Sequence, residues 1–228
     1  MLKILKVNEE GTQYLKILIY GMTGVGKTYM SATSPDPIFF DAEGGLLSIR
    51  DKKNIDCIRI KSFEDLSNGY EFLKNEKHKY KTVVLDSITE IHQVCYEEVI
   101  NRFKHEIAED RDWLRIQTKM RHLLRAFRNL DMHVVFTALA EDVKDGTSGV
   151  LIKKPELYGA MANEICAYMD IVGYLFVKED TEKKTLSRYF MTQPTERFYA
   201  KDRWGKLERY EEPDIEKILQ KIFKKEVK

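Results

Sequence analysis

One short segment, residues 21–28, constrains the fold more than any other part of the chain. It reads Gly-Met-Thr-Gly-Val-Gly-Lys-Thr, follows an apolar run and precedes a helix-compatible stretch. This G-x-x-x-x-G-K-[ST] pattern in a strand-to-helix context is typical of a phosphate-binding loop, whose backbone amides surround phosphate oxygens. A glycine-rich turn without a ligand is the alternative. We expect a nucleotide to be bound by Gly21, Thr23, Gly24, Val25, Gly26, Lys27, Thr28 and Tyr29.

The rest of the sequence indicates an α/β fold. Amphipathic segments separate apolar, β-branched runs at residues 15–20, 38–40, 82–85, 133–137 and 171–177. This alternation is typical of a mostly parallel, twisted sheet flanked by helices. We expect a long helix from Trp113 to Leu130 and antiparallel strands at residues 185–192 and 196–201, at the C-terminal edge of the sheet. Residues 213–228 are predicted to form a C-terminal helix, because Pro213 precedes a periodic apolar pattern.

Composition narrows the class of protein. The 228 residues carry 38 Lys and Arg against 37 Asp and Glu, which excludes both an acidic disordered chain and a uniformly basic nucleic-acid coat. We expect one domain over residues 1–228, with residues 1–14 as an N-terminal extension. Charged residues interrupt the apolar residues near Met1, and no stretch approaches the length of a membrane span. The three cysteines lie far apart, which does not fit a disulfide framework. These features predict a cytoplasmic protein with reduced thiols and no membrane partner.

A carboxylate follows the apolar run 82–85. Asp86 lies where an acidic residue from a neighbouring strand end would help Thr28 to hold Mg²⁺ beside the phosphates. Its alternative role is to cap the helix that begins near Ser87. We predict that Thr28 and Asp86 are the metal-binding residues.

Two further carboxylates follow the apolar run 38–40. Asp41 and Glu43 are predicted to lie at the same sheet edge as the phosphates, where hydrolysis needs a base to orient water. Glu43 is the candidate base, and a turn residue beside Gly44 and Gly45 is the alternative. Residues 41–44 also read D-x-x-G, a GTPase switch pattern, but no N-K-x-D guanine motif is present. ATP is therefore the expected nucleotide.

Together these elements resemble the RecA/RadA-like P-loop ATPase core from about residue 15 to residue 205. Residues 39–43 are similar to the RecA strand that carries the catalytic base, residues 83–87 are similar to the RecA Walker B strand, and residues 201–205 resemble the K-N-R-F-G motif of RadA. The resemblance implies an ATPase that uses ATP and Mg²⁺, with Lys27 and Glu43 as catalytic residues. It also implies that Lys201 and Arg203 reach the nucleotide of an adjacent subunit, in a ring or short filament.

The small size is most similar to the core-only RecA-type proteins of bacteriophages that promote single-strand annealing. The resemblance then implies single-stranded DNA as a partner, with a single-strand binding protein as a further one, and hydrolysis that is slow or stimulated by DNA. Where RecA has an Asn-Gln pair that couples DNA to hydrolysis, this chain has Thr137 and Ala138.

Residues 141–155 are predicted to form a long polar loop that corresponds to one of the DNA-binding loops of RecA-like proteins. Lys144, Lys153 and Lys154 flank its small polar centre and are the candidate DNA contacts. A solvated mobile loop is the alternative. The basic helix surface at residues 115–128 is a second candidate DNA or partner contact.

Two other functions remain open from the sequence. A P-loop kinase would use Glu43 or Asp41 to position the hydroxyl of a small acceptor, although the polar centre of loop 141–155 has no arginine to form a lid. An ATP-gated scaffold would bind nucleotide and a partner protein without hydrolysis.

Overall fold

The computed structural model describes residues 14–146, 149–180 and 185–223. Residues 1–13 of the predicted N-terminal extension and residues 224–228 of the predicted C-terminal helix lie outside the described residues. So do Thr147 and Ser148 in the centre of the predicted polar loop.

A mostly parallel sheet forms the middle of the fold. The described strands are β1 (Lys16–Gly21), β2 (Pro37–Asp41), β3 (Asp56–Arg59), β4 (Thr82–Asp86), β5 (His133–Lys144), β6 (Leu151–Pro155), β7 (Ile171–Asp180), β8 (Thr185–Met191), β9 (Lys201–Asp202) and β10 (Tyr210–Glu211). Their order is β10-β8-β7-β1-β5-β4-β2-β3, with β6 paired to β5 and β9 paired to β7. The strands from β7 to β3 along this path run parallel, whereas β6, β8, β9 and β10 pair antiparallel.

Helices cover both faces of the sheet. They are α1 (Lys27–Ser31), α2 (Phe63–Asn75), α3 (Ile88–Phe103), α4 (Asp110–Arg128), α5 (Met161–Tyr168) and α6 (Ile215–Phe223), and a short 3-10 helix spans Leu46–Ile49. Side chains of β1 alternate between two cores, since successive residues of a strand point to opposite faces. Leu18 and Tyr20 pack in the core with α2 to α5. Ile17 and Ile19 pack in the core with α1 and α6.

The predicted α/β class is therefore confirmed, with the antiparallel strands at the C-terminal edge. Each of the five apolar runs lies in a strand, the long basic helix is α4, and the described part of the C-terminal helix is α6. Within the described ranges, no helix is long and apolar enough to span a bilayer.

Two sequence predictions of local structure were wrong, and a further strand was missed. Residues 141–155 are not a long loop, because β5 extends to Lys144 and pairs with β6 as an antiparallel hairpin. Residues 196–201 are not a full strand, since only Lys201–Asp202 pairs, as β9, with β7. The sequence analysis also missed β3, whose short and largely exposed residues form the sheet edge without an apolar run.

Candidate functional site

The phosphate-binding turn leaves the carboxyl end of β1 and enters α1. Gly26 has φ +103°, a left-handed conformation that favours glycine, and it immediately precedes the first residue of α1. A Cβ on Gly21 would collide with the carbonyl oxygen of Leu175 in the neighbouring β7. These two glycines are thus needed for the shape of the turn and for its close packing on the sheet.

Lys27 is buried beneath this turn. Its ammonium donates to the carbonyl oxygens of Gly21 and Met22, each at 3.1 Å. Burial lowers the pKa of Lys27, and the nearby carboxylates of Glu43 and Asp86 oppose that shift. The lysine is therefore held in the turn, within electrostatic range of the two carboxylates that the sequence predicted at this site.

Asp86, the last residue of β4, contacts side chains of α1 and β5 at the centre of the site. One carboxylate oxygen accepts a hydrogen bond of 2.7 Å from the Thr28 hydroxyl. The other accepts from the hydroxyl of Thr137 within β5, the strand between β1 and β4. The side chain of Ser87 caps α3 by accepting from the Glu90 amide at 3.3 Å. Because Ser87 supplies this cap, Asp86 is free to face the phosphate-binding turn.

The donor set at this point suits Mg²⁺. The Thr28 hydroxyl and the Asp86 carboxylate are hard oxygen ligands, which Mg²⁺ prefers. Burial raises the pKa of Asp86, while the hydrogen bonds from Thr137 and Thr28 lower it. A divalent cation would neutralise this desolvated carboxylate, so the residues present fit the ion.

Glu43 lies beside Asp86. The backbone amides of Ala42 and Glu43 donate to the Asp86 carbonyl oxygen, at 2.9 and 3.4 Å, which fixes the end of β2 against the end of β4. The Glu43 side chain is exposed, and its charge contributes to the pKa shifts of Asp86 and Lys27. The structure thus brings Lys27, Thr28, Glu43 and Asp86 to one sheet edge.

Asp41 has a structural role in this edge. Its buried carboxylate accepts from the Gly44 amide at 2.7 Å and forms an ion pair of 2.9 Å with Arg59 of β3. These contacts fix the backbone that carries Glu43. The sequence had offered Asp41 as an alternative to Glu43 for positioning a hydroxyl, but its oxygens already have partners within the chain.

Arg188 is a site residue that sequence reasoning missed. It lies on β8, and its Nε donates to the carbonyl oxygen of Val25 in the phosphate-binding turn at 3.1 Å. The side chain also lies 3.3 Å from where a Cβ on Gly26 would be. No local pattern around Arg188 marks it, because the contact depends on how β8 pairs with β7.

The remaining predicted nucleotide contacts are accessible. Thr23 and Gly24 lie exposed in the turn, Val25 is half-buried, and Tyr29 is 56% exposed on α1. The ammonium of Lys52 lies 4.9 Å from the centroid of the Tyr29 ring.

Lys201 and Arg203 lie near the amino ends of β7 and β1, whereas the phosphate-binding turn follows the carboxyl end of β1. Lys201 donates to the carbonyl oxygens of Cys166, Ala167 and Met169 at the end of α5, at 2.7 to 3.2 Å. Arg203 forms an ion pair of 3.0 Å with Asp170. Both cations therefore have partners within the chain, and their predicted action on a neighbouring subunit stays a prediction.

The candidate DNA lysines lie on the β5–β6 hairpin. Lys153 forms an ion pair of 2.8 Å with Asp142, Lys154 lies 3.9 Å from Glu141, and Lys144 is exposed. The antiparallel register places each of these acidic residues opposite its lysine. The hairpin is consequently less basic than its lysine count suggests.

Three of the five Lys and Arg side chains on the basic surface of α4, residues 115–128, are similarly neutralised. Arg115 pairs with Asp112, Lys119 with Glu98, and Arg121 with Glu164. These ion pairs hold α4 to its own first turn and to the neighbouring helices α3 and α5.

Comparisons with known proteins identify a family, a relative and two similar solved structures. Residues 13–204 match the family profile described as AAA domain, AAA_24. The chain is 23% identical over 211 residues to the SPbeta prophage-derived uncharacterized protein YorG of Bacillus subtilis (strain 168); the match covers 88% of the chain and 63% of that relative. Two solved structures are similar. The KaiC-like protein PH0186 of Pyrococcus horikoshii OT3 has 20% identity and a TM-score of 0.46, with 78% of this chain and 77% of that chain covered. The RadB recombinase has 13% identity and a TM-score of 0.44, with 78% and 87% covered.

The family profile spans the phosphate-binding turn, the Asp86 strand and most of the sheet. The chain therefore belongs to the AAA domain family, and its α/β fold carries the phosphate-binding turn within the matched residues.

Proposed function

We propose that this chain binds ATP with Mg²⁺ at residues 21–28, hydrolyses it, and uses the ATP-bound state to hold single-stranded DNA for annealing or recombination. The observation that carries the proposal is the 2.7 Å hydrogen bond from Thr28 to Asp86, beside the buried Lys27. A hydroxyl, a carboxylate and an ammonium therefore lie together beside the phosphate-binding turn. This combination suits a nucleoside triphosphate with its metal.

Each residue has a distinct part in hydrolysis. Thr28 and Asp86 would hold Mg²⁺, which neutralises charge on the β- and γ-phosphates when bound. Lys27 stabilises negative charge on the same phosphates. Glu43 is exposed at the same edge, and in this proposal its carboxylate orients water and accepts its proton.

The sheet offers a direct path from this site to the candidate DNA contacts. Strand β5 is continuous from His133 to Lys144, so Thr137 at Asp86 and Lys144 on the hairpin belong to one strand. A shift of Asp86 with the nucleotide state would reach the hairpin without a flexible joint. DNA binding by Lys144, Lys153 and Lys154 would require the two paired lysines to exchange Asp142 and Glu141 for phosphates.

The last part of the proposal concerns assembly of several copies of the chain. Lys201 and Arg203 lie far from the chain's own phosphate-binding turn, so a phosphate contact by these cations requires a second copy. We propose a ring or short filament with ATP at the subunit interfaces, as part of a phage DNA system that includes a single-strand binding protein. The prophage origin in the name of the Bacillus subtilis relative supports the phage assignment.

The test combines phosphate release with binding of labelled oligo(dT), measured with ATP, with ADP and without nucleotide. We expect Mg²⁺-dependent phosphate release and tighter DNA binding with ATP. A variant with Lys144, Lys153 and Lys154 all changed to Gln should bind DNA more weakly and with a flatter salt dependence, because each lost phosphate contact releases about one counterion fewer.

A matched control changes three exposed lysines near α2, Lys61, Lys74 and Lys77, to Gln. This control should bind DNA like the wild type. An unchanged salt dependence in the hairpin variant would contradict the hairpin as the DNA contact. ATP-dependent DNA binding without phosphate release would indicate a scaffold instead of an ATPase.

A further inference from the structure

A cavity lies at the carboxyl ends of the strands, outside the phosphate-binding turn. Its volume is about 550 Å³, which is large enough for a small ligand. The N-terminal part of α3, the β5–β6 hairpin and the segment before α5 enclose it. The polar residues that line it include Glu90, His92, Glu141, Lys154, Glu156 and Tyr158.

His92 is the feature that points to a ligand. The side chain is 1% exposed, yet neither ring nitrogen has a hydrogen-bond partner among the described residues. Buried polar atoms are costly unless they are paired, so this histidine lacks the partners that a buried imidazole normally has. Burial lowers the pKa of His92 to about 4, so its neutral ring offers one donor and one acceptor nitrogen.

The charge of the lining selects the class of ligand. Glu90, Glu141 and Glu156 contribute three carboxylates against the single cation Lys154, which lies 3.9 Å from Glu141. Burial raises the pKa of Glu90 and of Glu141, as expected for carboxylates with too little water around them. An anionic group inside the cavity would be repelled by these carboxylates, whereas a cation would be stabilised.

The walls of the cavity are held in place without a ligand. The Thr89 hydroxyl accepts from the Leu139 amide at 3.0 Å and donates to the Glu156 carbonyl oxygen at 3.2 Å. This residue joins α3 to β5 and to the chain that follows β6. The Tyr158 ring packs edge-on against His92, with 5.0 Å between the ring centroids. Leu139, Val143 and Leu157 add apolar surface to the cavity.

We propose that this cavity binds an organic cation, an ammonium or guanidinium group on a short aliphatic stem, with the charged head among Glu90, Glu141 and Glu156 and a hydrogen bond to His92. The apolar residues would contact the stem. The inference goes beyond the proposed ATPase and DNA functions and does not require either. Two sources share this chemistry, a free small amine or guanidine and an arginine or lysine side chain of a polypeptide.

One residue of the cavity interacts electrostatically with Glu43, the candidate base. Glu90 lines the cavity, and the charge of Glu43 contributes to its raised pKa. The charge of a cation bound here would therefore also act on the carboxylate that we assign to ATP hydrolysis.

The test follows the imidazole resonances of His92 by NMR, assigned with a His92→Gln variant, during titration with n-butylguanidinium. We expect saturable shifts at His92 and none at His78, a distant histidine that also has a buried unpartnered nitrogen. The uncharged n-butylurea should bind at least tenfold more weakly. An arginine tripeptide with blocked ends, compared with its citrulline equivalent, tests the polypeptide source.

Substitutions locate the binding site. Glu141→Gln and Glu156→Gln should each weaken n-butylguanidinium binding about tenfold, the typical effect of losing one charge-assisted hydrogen bond. Glu216→Gln, on an exposed residue of α6, is the control for a lost carboxylate and should leave binding unchanged. Binding of either cation supports the site and identifies its source. Equal binding of the charged and uncharged probes, no response of wild-type His92 to either cation, or a His92 response to oligo(dT) alone would overturn the proposal.

Discussion

The hydroxyl of Thr28 on α1 donates a 2.7 Å hydrogen bond to the carboxylate of Asp86 at the end of β4. Strand β5 lies between β4 and β1, the strand that precedes the phosphate-binding turn. Thr137 on that intervening strand donates to the other carboxylate oxygen. The carboxylate is therefore oriented from both sides before any ligand binds.

Thr137→Val should weaken Mg²⁺ use. The substitution keeps the shape of the side chain but removes a hydrogen bond that orients Asp86. Loss of such a partner typically reduces metal affinity 10- to 100-fold. We expect the Mg²⁺ concentration at half-maximal phosphate release to rise by about that factor.

Thr82→Val is the matched control for this change. Thr82 is equally buried, at the opposite end of β4, and its hydroxyl donates to the Pro35 carbonyl oxygen at 2.8 Å. It should lose a similar amount of stability without a change in Mg²⁺ dependence. An equal Mg²⁺ dependence for both variants would show that Thr137 does not orient Asp86.

Arg188→Ala should weaken ATP binding. The guanidinium lies beside the phosphate-binding turn and adds positive charge where an anion would bind. We expect the dissociation constant for ATP to rise about tenfold, in the range of one charge-assisted hydrogen bond, with little change for adenosine. Isothermal titration calorimetry with both ligands measures the difference. Arg209→Ala, an exposed arginine over the Tyr210 ring, is the control. An equal loss for ATP and adenosine would indicate a distorted turn instead of a missing charge.

Mild acid should destabilise the fold through His133. Its Nδ1 accepts a hydrogen bond of 3.0 Å from the Leu15 amide, which an imidazolium cannot do. Burial lowers the pKa of His133 from 6.5 to about 4. The unfolded chain therefore binds more protons between these values, so the stabilisation present above pH 6.5 declines below it and is lost by about pH 4.

Urea unfolding at pH 7.5 and at pH 5 measures this effect. The free energy of unfolding should fall by at most about 1.4 kcal/mol per pH unit from this histidine. His133→Asn keeps an acceptor that does not titrate and should reduce the pH dependence. His122→Asn, on an exposed histidine, should not. The same pH dependence in both variants would contradict the role of His133.

Mixing two inactive variants tests the action of Arg203 across an interface. Arg203→Ala leaves the phosphate-binding turn intact, whereas Lys27→Ala leaves Arg203 intact. If each arginine serves a neighbouring subunit, some interfaces of a mixed assembly combine an intact turn with an intact Arg203, and phosphate release should recover. No recovery in a confirmed mixed assembly would assign Arg203 to its intrachain ion pair with Asp170 alone.

The sequence predicted those elements of the fold whose signal lies within one continuous segment of the chain. The turn at residues 21–28, the buried strand before Asp86 and the periodic apolar face of α4 each carry their own signal, and the structure confirms all three as elements. The hairpin was missed because Asp142 and Lys153 are polar residues that become neighbours only once β5 and β6 pair. An exposed strand that carries many charged residues resembles a loop in composition, so the sequence alone does not distinguish the two.

The contacts that complete the site depend on tertiary structure. Arg188 reaches Val25 from a strand more than 160 residues later in the chain, and Arg59 pairs with Asp41 from the edge strand β3. Neither partner has a motif of its own. The sequence predicted which residue types the chemistry requires, but it could not predict which distant cations the sheet would bring to them.

Glu43→Gln tests the central claim most directly, that this edge of the sheet hydrolyses ATP with Glu43 as the base. The variant keeps the size and hydrogen-bonding capacity of the side chain but cannot accept a proton. It should bind ATP as the wild type does and lose about 10²- to 10⁴-fold in phosphate release, the range for removal of a general base. Lys27→Ala should instead lose tight ATP binding, and Asp41→Asn should lose stability but keep its turnover. Normal phosphate release by Glu43→Gln, together with its loss in Asp41→Asn, would contradict the account.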